Sequence, residues 1–539
     1  MRSASVLAGV NGLLIIVFFL AGMLAASPAA TLPQAEPVWG YGFVNAFPKL
    51  SFSEPVVVVA PPGETNRLFV VERAGEIYVI DDVAAQHARL FLSLRDTWSQ
   101  GVESGLLGLA FHPNFAQNGR FFTYRTVVSS GFRCELAEFR VSEENPNRAD
   151  RSSERIIISQ RDEFDAHNGG DLKFGPDGYL YLSFGDERPV PRDAHEEPQA
   201  IDKGLFAGII RIDVDNRAGN IAPNQHPSVG EYRIPRDNPF IGKTEFNGKA
   251  LDPAAVRTEF YAVGLRNPWR FTFDPQTGEM ICADVGAGAF EEVNIIEKGA
   301  NYGWPFLEGN YVRDSSVTNG FTEPLSTYEH GQQAFEGRVV IGGVFIENPA
   351  LGELQGKYIF GDFESGNIWW LNTRARQQEA QWVTGRRGLA SFSVDPRDGG
   401  VLAANLVSGR IEKLVYRRPE DSGIPTRLSE LGIFDDLASL SPDASVLPYE
   451  IINPLWSDGA VKQRWVSLRD AEGRIGFSAT TPWQFPPGAF WVKHFELELT
   501  NGVPESRRRL ETRVLVKSQD GVYGLSYRWG ESLTEATHL

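Results

Sequence analysis

One phrase recurs through the middle of the chain and limits its fold more than any other feature. It consists of an apolar residue, a spacer, a proline and then a polar turn. It reads Phe111-His112-Pro113, Phe174-Gly175-Pro176-Asp177-Gly178, Phe273-Asp274-Pro275-Gln276-Thr277-Gly278 and Val394-Asp395-Pro396-Arg397-Asp398-Gly399. The irregular spacing fits a unit of about 50–65 residues, with some units lacking the phrase. Before and between the copies lie short apolar runs such as Leu68-Phe69-Val70-Val71, Tyr179-Leu180-Tyr181-Leu182 and Ile209-Ile210-Arg211-Ile212. Runs of this length bounded by turn formers are buried strands. No amphipathic helical segment separates them, which disfavours parallel βαβ repeats. Four strands per unit arranged radially protect their edges without a closed barrel. The expected fold is therefore all-β, a six-bladed β-propeller of about 63 residues per blade. With 54 glycines, 33 prolines and only 3 methionines in 539 residues, composition agrees.

The propeller is expected over residues 31–418, ending at the charged linker Arg417-Arg418-Pro419-Glu420-Asp421-Ser422-Gly423. Residues 419–539 then read as a small β-rich, sandwich-like module, because Phe495 to Leu499 and Val514 to Val516 alternate apolar and polar residues. Before the propeller, residues 1–30 pair Arg2 with the apolar run Leu13–Ala26 and small residues after it. This predicts a secretory signal, with an uncleaved anchor as the alternative; membrane association is expected only in the second case. Either way the remainder is expected outside the cytoplasm, secreted or periplasmic. A net charge of −17 disfavours nucleic acid. Two cysteines, Cys134 and Cys282, exclude a disulfide-dense scaffold and a four-cysteine zinc site.

Three segments concentrate chemistry. In Asp165-Ala166-His167-Asn168-Gly169-Gly170, the glycines allow close backbone approach to a ligand. An imidazole oriented by a carboxylate, with Asp165 as the candidate, can take a hydroxyl proton. In Gly264-Leu265-Arg266-Asn267-Pro268 an arginine and an amide precede a fixed bend, suited to a bidentate carboxylate contact. In Asp284-Val285-Gly286-Ala287-Gly288-Ala289-Phe290-Glu291-Glu292, bare carbonyls lie beside carboxylates, the oxygen-only donors that calcium prefers. Each has a plainer alternative: a loop histidine, an arginine paired between blades and a solvated acidic turn.

Taken in order, Gly105–Pro113, His167-Asn168-Gly169-Gly170, Phe174–Gly178, Gly264–Pro268 and Asn301-Tyr302-Gly303-Trp304-Pro305 resemble the glucose/sorbosone dehydrogenase family. That family comprises six-bladed propellers that include soluble quinoprotein sugar dehydrogenases using pyrroloquinoline quinone and calcium. The resemblance implies His167 as the base for a sugar C1 hydroxyl, with Arg266 and Asn267 as cofactor contacts. It also implies the carbonyls of Gly286 and Ala287 at a catalytic calcium, and Glu292 with the carbonyl of Tyr302 at a structural one. Glu103 stands where catalytic members carry Gln, and Arg386 and Arg387 stand near the family's last-blade arginines; all three are cofactor-contact candidates. The Ser391-Phe392 phrase resembles the branch that includes hedgehog-interacting proteins. The tail, with Pro454–Ala460 and Arg509–Arg513, resembles a module that follows such propellers in secreted proteins and can precede a c-type haem domain. The chain contains no Cys-x-x-Cys-His haem-attachment motif.

Two readings follow. The first is an exported aldose oxidoreductase acting on a small sugar and passing electrons to an external acceptor, for which a c-type haem protein or domain is the candidate. The second is a non-catalytic propeller that binds a glycan or a protein partner. A metal-dependent propeller hydrolase ranks behind both.

Overall fold

The computed structural model describes Leu32 and residues 40–539, apart from 97–100, 102, 129–130, 187–197, 225–230, 316–319, 334, 376–378, 419–422, 453–458, 469–472 and 519–520. The signal-or-anchor segment, part of the linker and most of the Pro454–Ala460 motif therefore lie outside the described residues. The chain divides into two compact units, Val38–Arg418 and a second that holds residues 419–539.

The first unit is six four-stranded antiparallel sheets. Their innermost strands are β1 (Pro55–Val59), β2 (Leu106–Phe111), β3 (Leu172–Phe174), β4 (Pro268–Phe273), β5 (Val340–Phe345) and β6 (Leu389–Val394). All six strands line one opening of a central channel, so the sheets are propeller blades. The ring is closed by Gly40–Asn45, which pairs with Arg410–Arg417 of the last blade from Gly40↔Arg417 to Asn45↔Glu412. Edge-to-face aromatic contacts stitch blades together, as where Phe69 meets Phe111 with ring centroids 4.7 Å apart.

Each copy of the recurring phrase is the turn leaving an inner strand: Phe111 ends β2, Phe174 ends β3, Phe273 ends β4 and Val394 ends β6. The aspartate in three of them caps its own turn, Asp177 accepting from the Tyr179 N–H at 3.1 Å, Asp274 from the Gln276 N–H at 2.7 Å and Asp395 from the Arg397 N–H at 3.1 Å. A second repeat is invisible as a motif. The second strand of a blade runs back beside the inner one, so its last residue returns to the loop that enters the inner strand. In five blades a polar side chain at or near that end holds the entering backbone. Glu72 accepts from the Ser53 N–H, and Thr126 from the Gly105 N–H. Asp284 accepts from the Arg266 and Asn267 N–H groups, and Asp362 from those of Arg338 and Val339. Asn405 donates to the Arg387 carbonyl.

The second unit is one antiparallel sheet of β7 (Leu447–Pro448), β8 (Val461–Ser467), β9 (Phe490–Glu498), β10 (Arg507–Lys517), β11 (Val522–Trp529) and β12 (Ala536–His538), in that order. Phe490, Val492, Val514, Val516, Leu525 and Tyr527 face a core closed by Leu428, Leu431, Ile433, Leu437 and Leu440. The module is β-rich, but its second layer is this irregular segment and the short ribbon Phe434–Asp436/Ser441–Pro442 rather than a second full sheet. His494 lies in that core against Thr512, and burial pushes its pKa down to about 4, so it is a packing residue. Cys134 and Cys282 are both buried free thiols. Among the described residues no helix is long and apolar enough to cross a membrane.

Candidate functional site

At the ends of the inner strands opposite the phrase turns, a recess of about 520 Å³ is lined by Glu103, His167, Arg266, Asn267, residues 285–288, His330 and Arg338. The loops entering β2, β3, β4 and β5 therefore converge there. His167 sits in the left-handed backbone region at φ 58°, just before Gly169 at φ 60° and Gly170 at φ 100°. Strain of this kind is held only where surrounding bonds over-determine it. The bonds are the His167 N–H to Glu103 Oε2 at 2.8 Å, the Gly169 N–H to Asn267 Oδ1 at 3.1 Å and the Gly170 N–H to the Ser183 carbonyl at 3.0 Å.

In the third blade the strand-end carboxylate does something its counterparts do not. Asp186 turns to the imidazole, with Oδ1 2.6 Å from His167 Nδ1, and accepts the Trp304 indole N–H on Oδ2 at 2.7 Å. On the other side of the ring, Arg266 Nη2 lies 2.9 Å from His167 Nε2. A guanidinium can only donate, so Nε2 is the accepting nitrogen and Nδ1 carries the proton toward Asp186. Burial alone would raise the pKa of Asp186. The hydrogen bond from His167, with Arg266 and Trp304 behind it, outweighs burial and holds it below the usual carboxylate range. The result is an imidazole fixed between Asp186 at Nδ1 and Arg266 at Nε2, with Nε2 on the recess side.

Arg266 also donates through Nη1 to the carbonyls of Val285 at 2.8 Å and Gly286 at 2.6 Å. The turn that aims those carbonyls is fixed from behind by Glu308. Its Oε1 collects the N–H groups of Ala287, Gly288, Ala289 and Phe290. Ala287 itself lines the recess. The carbonyl pair can thus receive a cation, and Arg266 occupies it here. Deeper in the fourth blade, Glu292 lies opposite Asp284 on adjacent strands. Burial first, and then the charge of Glu292, drives Asp284 well above the ordinary range; burial raises Glu292 as well. The Oδ1 of buried Asn294 beside them has no hydrogen-bond partner. Oxygen donors in excess of protons and partners suit a hard cation. Tyr302 is buried, its hydroxyl donating to the Ile295 carbonyl at 2.5 Å. Among the described residues, no three His, Cys, Asp or Glu side chains group at metal-holding distance, so any such site relies on carbonyls and amides.

Glu103, His167, Arg266, Asn267, Gly286 and Ala287 are thus brought together at the recess, and two expected contacts are not. Arg386 is drawn off by an ion pair with buried Glu412. Arg387 bonds the Ser365 carbonyl at 3.3 Å and lines a neighbouring recess. Asp165 does not orient the imidazole; its carbonyl accepts from Ser104 and Asn168, and Asp186 takes that role. Arg338, which sequence reasoning missed, is exposed and lines both recesses. Among the described residues nothing pairs with its guanidinium. The signal that could have found Asp186 is the shared ending of two second strands, Phe184-Gly185-Asp186 and Phe360-Gly361-Asp362.

The glucose/sorbosone dehydrogenase family model matches residues 52–390. The HIPL2 protein of Arabidopsis thaliana is 31% identical over 367 residues, covering 58% of this chain and 51% of that protein. The chain thus spans about half the length of that relative. Quinoprotein glucose dehydrogenase B of Acinetobacter calcoaceticus is 26% identical over 430 residues, covering 71% of this chain and 80% of that one. The structure of the soluble aldose sugar dehydrogenase of Escherichia coli, in its apo form, superposes with a TM-score of 0.54 at 21% identity. It covers 70% of this chain and 100% of that one, a likeness of fold.

Proposed function

The chain belongs to the glucose/sorbosone dehydrogenase family, and from that premise we propose that it is an exported oxidoreductase of aldose sugars using pyrroloquinoline quinone with calcium. The observation that carries this is the imidazole of His167, held between Asp186 and Arg266 with its Nε2 at the mouth of the recess. When bound, the quinone supplies the two-electron acceptor that no amino-acid side chain provides. The protein's part is to take the C1 hydroxyl proton on His167 Nε2 while the C1 hydrogen leaves as hydride. The electrons then pass to an external acceptor. Arg266, Asn267 and Arg338 are the groups placed to hold an anionic cofactor. Glu103 is compatible with it, because its carboxylate is already engaged by the His167 N–H. The carbonyls of Gly286 and Ala287, with that of Val285 beside them, would hold the cation once Arg266 turns to a carboxylate.

The pairing of Arg386 with Glu412 favours a second reading, a propeller that binds a glycan or protein without chemistry, because it removes an expected cofactor grip. One experiment separates them. The protein is titrated with pyrroloquinoline quinone and calcium, following cofactor absorbance and then dye reduction on a panel of aldoses. The oxidoreductase reading expects stoichiometric uptake and sugar-dependent reduction. His167→Ala should cut turnover by roughly 10²–10⁴ with uptake retained. Arg338→Ala should weaken uptake by about 10-fold or more, the scale of a lost charged hydrogen bond. Absence of uptake at tens of micromolar cofactor would leave the binding reading.

A further inference from the structure

The open face of the C-terminal sheet carries a charge arrangement that its own fold does not need. On β8, β9 and β10, Arg464 lies opposite Lys493 and Lys493 opposite Arg513, three cations abreast on one face. Like charges placed directly across a ladder destabilise it. Elsewhere the same strands do the reverse, setting Glu496 against Arg509 and Glu498 against Arg507. Among the described residues no carboxylate pairs with Arg464 or Lys493, while Arg513 reaches Glu511 at 2.5 Å. Burial, and then the charges of Arg464, Lys462 and Arg513, hold the Lys493 ammonium below the ordinary lysine range. The next row runs Lys462, Phe495, Glu511 and Arg528, with one carboxylate among its cations, and Lys493 and Arg513 flank the Phe495 ring at 4.7 and 5.1 Å.

Two residues along the same strands and on the same face runs a parallel row of different character, Val466, Trp491, Leu515 and Gly524. Leu515 is 49% exposed, and Phe485 meets the Trp491 ring edge-on at 4.7 Å, fixing it. Gly524 leaves the end of this row open. A cationic row beside an apolar, aromatic row, both crossing the strands, is an elongated surface for an amphipathic anionic polymer.

We propose that this face binds a linear acidic polysaccharide, its carboxylates on Arg464, Lys493 and Arg513 and the apolar faces of its sugar rings on Trp491 and Leu515. The two rows together select this partner: an acidic polysaccharide carries carboxylates and flat apolar C–H ring faces on one chain, matching the cations and the Trp491 ring beside them. An acidic polypeptide such as polyglutamate brings the carboxylates without a ring face for Trp491. The proposal is independent of the propeller's chemistry, since none of these residues belongs to the propeller.

The test is affinity electrophoresis and calorimetry of the full chain with polygalacturonate, against dextran and polyglutamate. Binding to polygalacturonate that weakens as salt is added is expected, with at least tenfold weaker binding to the other two. Lys493→Glu should weaken binding at least tenfold, and Trp491→Ala should weaken it while leaving the salt dependence unchanged. Lys493→Glu should also raise the melting temperature or leave it unchanged, because it puts a carboxylate between two guanidiniums, so loss of binding is not loss of folding. No binding to polygalacturonate, equal binding to dextran, equal binding to polyglutamate, or undiminished binding by the charge-reversed variant would each overturn the proposal.

Discussion

At the scale of single residues, the imidazole of His167 is defined by what stands on each side of it. Arg266 can only donate to Nε2, and Asp186, kept ionised, can only accept from Nδ1. Asp186→Asn therefore reverses one partner: its amide N–H can be satisfied at Nδ1 only if the ring proton moves to Nε2, where it meets the Arg266 N–H. Imidazole nitrogen shifts in NMR should report the exchanged tautomer or a flipped ring. Sugar-dependent turnover should fall by a factor on the order of 10⁴, as when the carboxylate of a His–Asp couple is neutralised. An unchanged tautomer would show that Asp186 does not set it. A nearby carboxylate gives a pH signature of the fold rather than of the chemistry. Asp162 is buried under Cys134, and burial raises it to about 6 despite the Phe164 N–H at 2.9 Å. Its folded pKa lies above the unfolded value, so the native state binds more protons between about 4 and 6. Stability is then greatest below that window and declines as pH rises through it, by at most about 3 kcal/mol. Melting curves from pH 4 to 7 should show this decline in the wild type and a flatter profile in Asp162→Asn. Identical profiles would place the ionised carboxylate in water.

At the scale of elements, the turn 286–290 depends on one carboxylate. Glu308 Oε1 accepts four consecutive backbone N–H groups, and Arg313 balances its charge at 3.2 Å. These bonds outweigh burial and hold Glu308 below the usual glutamate range. Glu308→Ala strands the donors, and a loss of about 1–3 kcal/mol is expected. The released carbonyls of Val285 and Gly286 should loosen calcium retention in parallel, read by chelator competition. Loss of stability with calcium retention intact would show that the carbonyls are aimed by something else. What the sequence makes legible at this scale follows one rule: local turns are readable and returns across a blade are not. Four blades announce themselves through the proline turn that leaves the inner strand. The first keeps the apolar residue, spacer and proline in Val59-Ala60-Pro61 but follows them with Pro62 rather than a polar residue, and the fifth turns with Glu347-Asn348-Pro349, where the spacing is lost. His167, Arg266 and Asn267 sit in short motifs whose chemistry is contiguous. Asp186 reaches His167 only because β3 and the strand Leu180–Phe184 run antiparallel, Leu172 opposite Leu182. Arg338 has a glycine before it and a valine after it, and nothing local marks it. Arg386 was misplaced for the same reason: its partner Glu412 lies two strands away, and an arginine pair reads alike whether it faces a ligand or a buried glutamate.

At the scale of the whole molecule, the site belongs to no single blade. Glu103 enters β2, His167 enters β3, Arg266 enters β4 and Arg338 enters β5, so their distances are set by the ring rather than by any sheet. A ring of blades is held to its circumference only if it is closed, and here closure comes from the first strand. Gly40–Asn45 is the outer strand of the sixth blade, six residues in register with Arg410–Arg417. Its side chains also join the core between the fifth and sixth blades, where Tyr41 and Phe43 pack beside Leu351, Leu389 and Leu414. The Tyr41 hydroxyl donates to the Leu351 carbonyl at 2.9 Å, tying the strand to the neighbouring blade. Deleting residues 40–45 removes no atom of the recess, yet it exposes a strand edge and the faces of two aromatic rings. Each ring buries some 150–250 Å² when packed, so several kcal/mol of closure are at stake. The expected outcome is a lowered melting temperature together with weakened cofactor uptake. Hydrogen exchange should accelerate first in the fifth and sixth blades and later in the second to fourth. If uptake survives with its full affinity while the sixth blade exchanges freely, the four site-bearing blades hold their spacing without the ring. Closure would then serve stability alone.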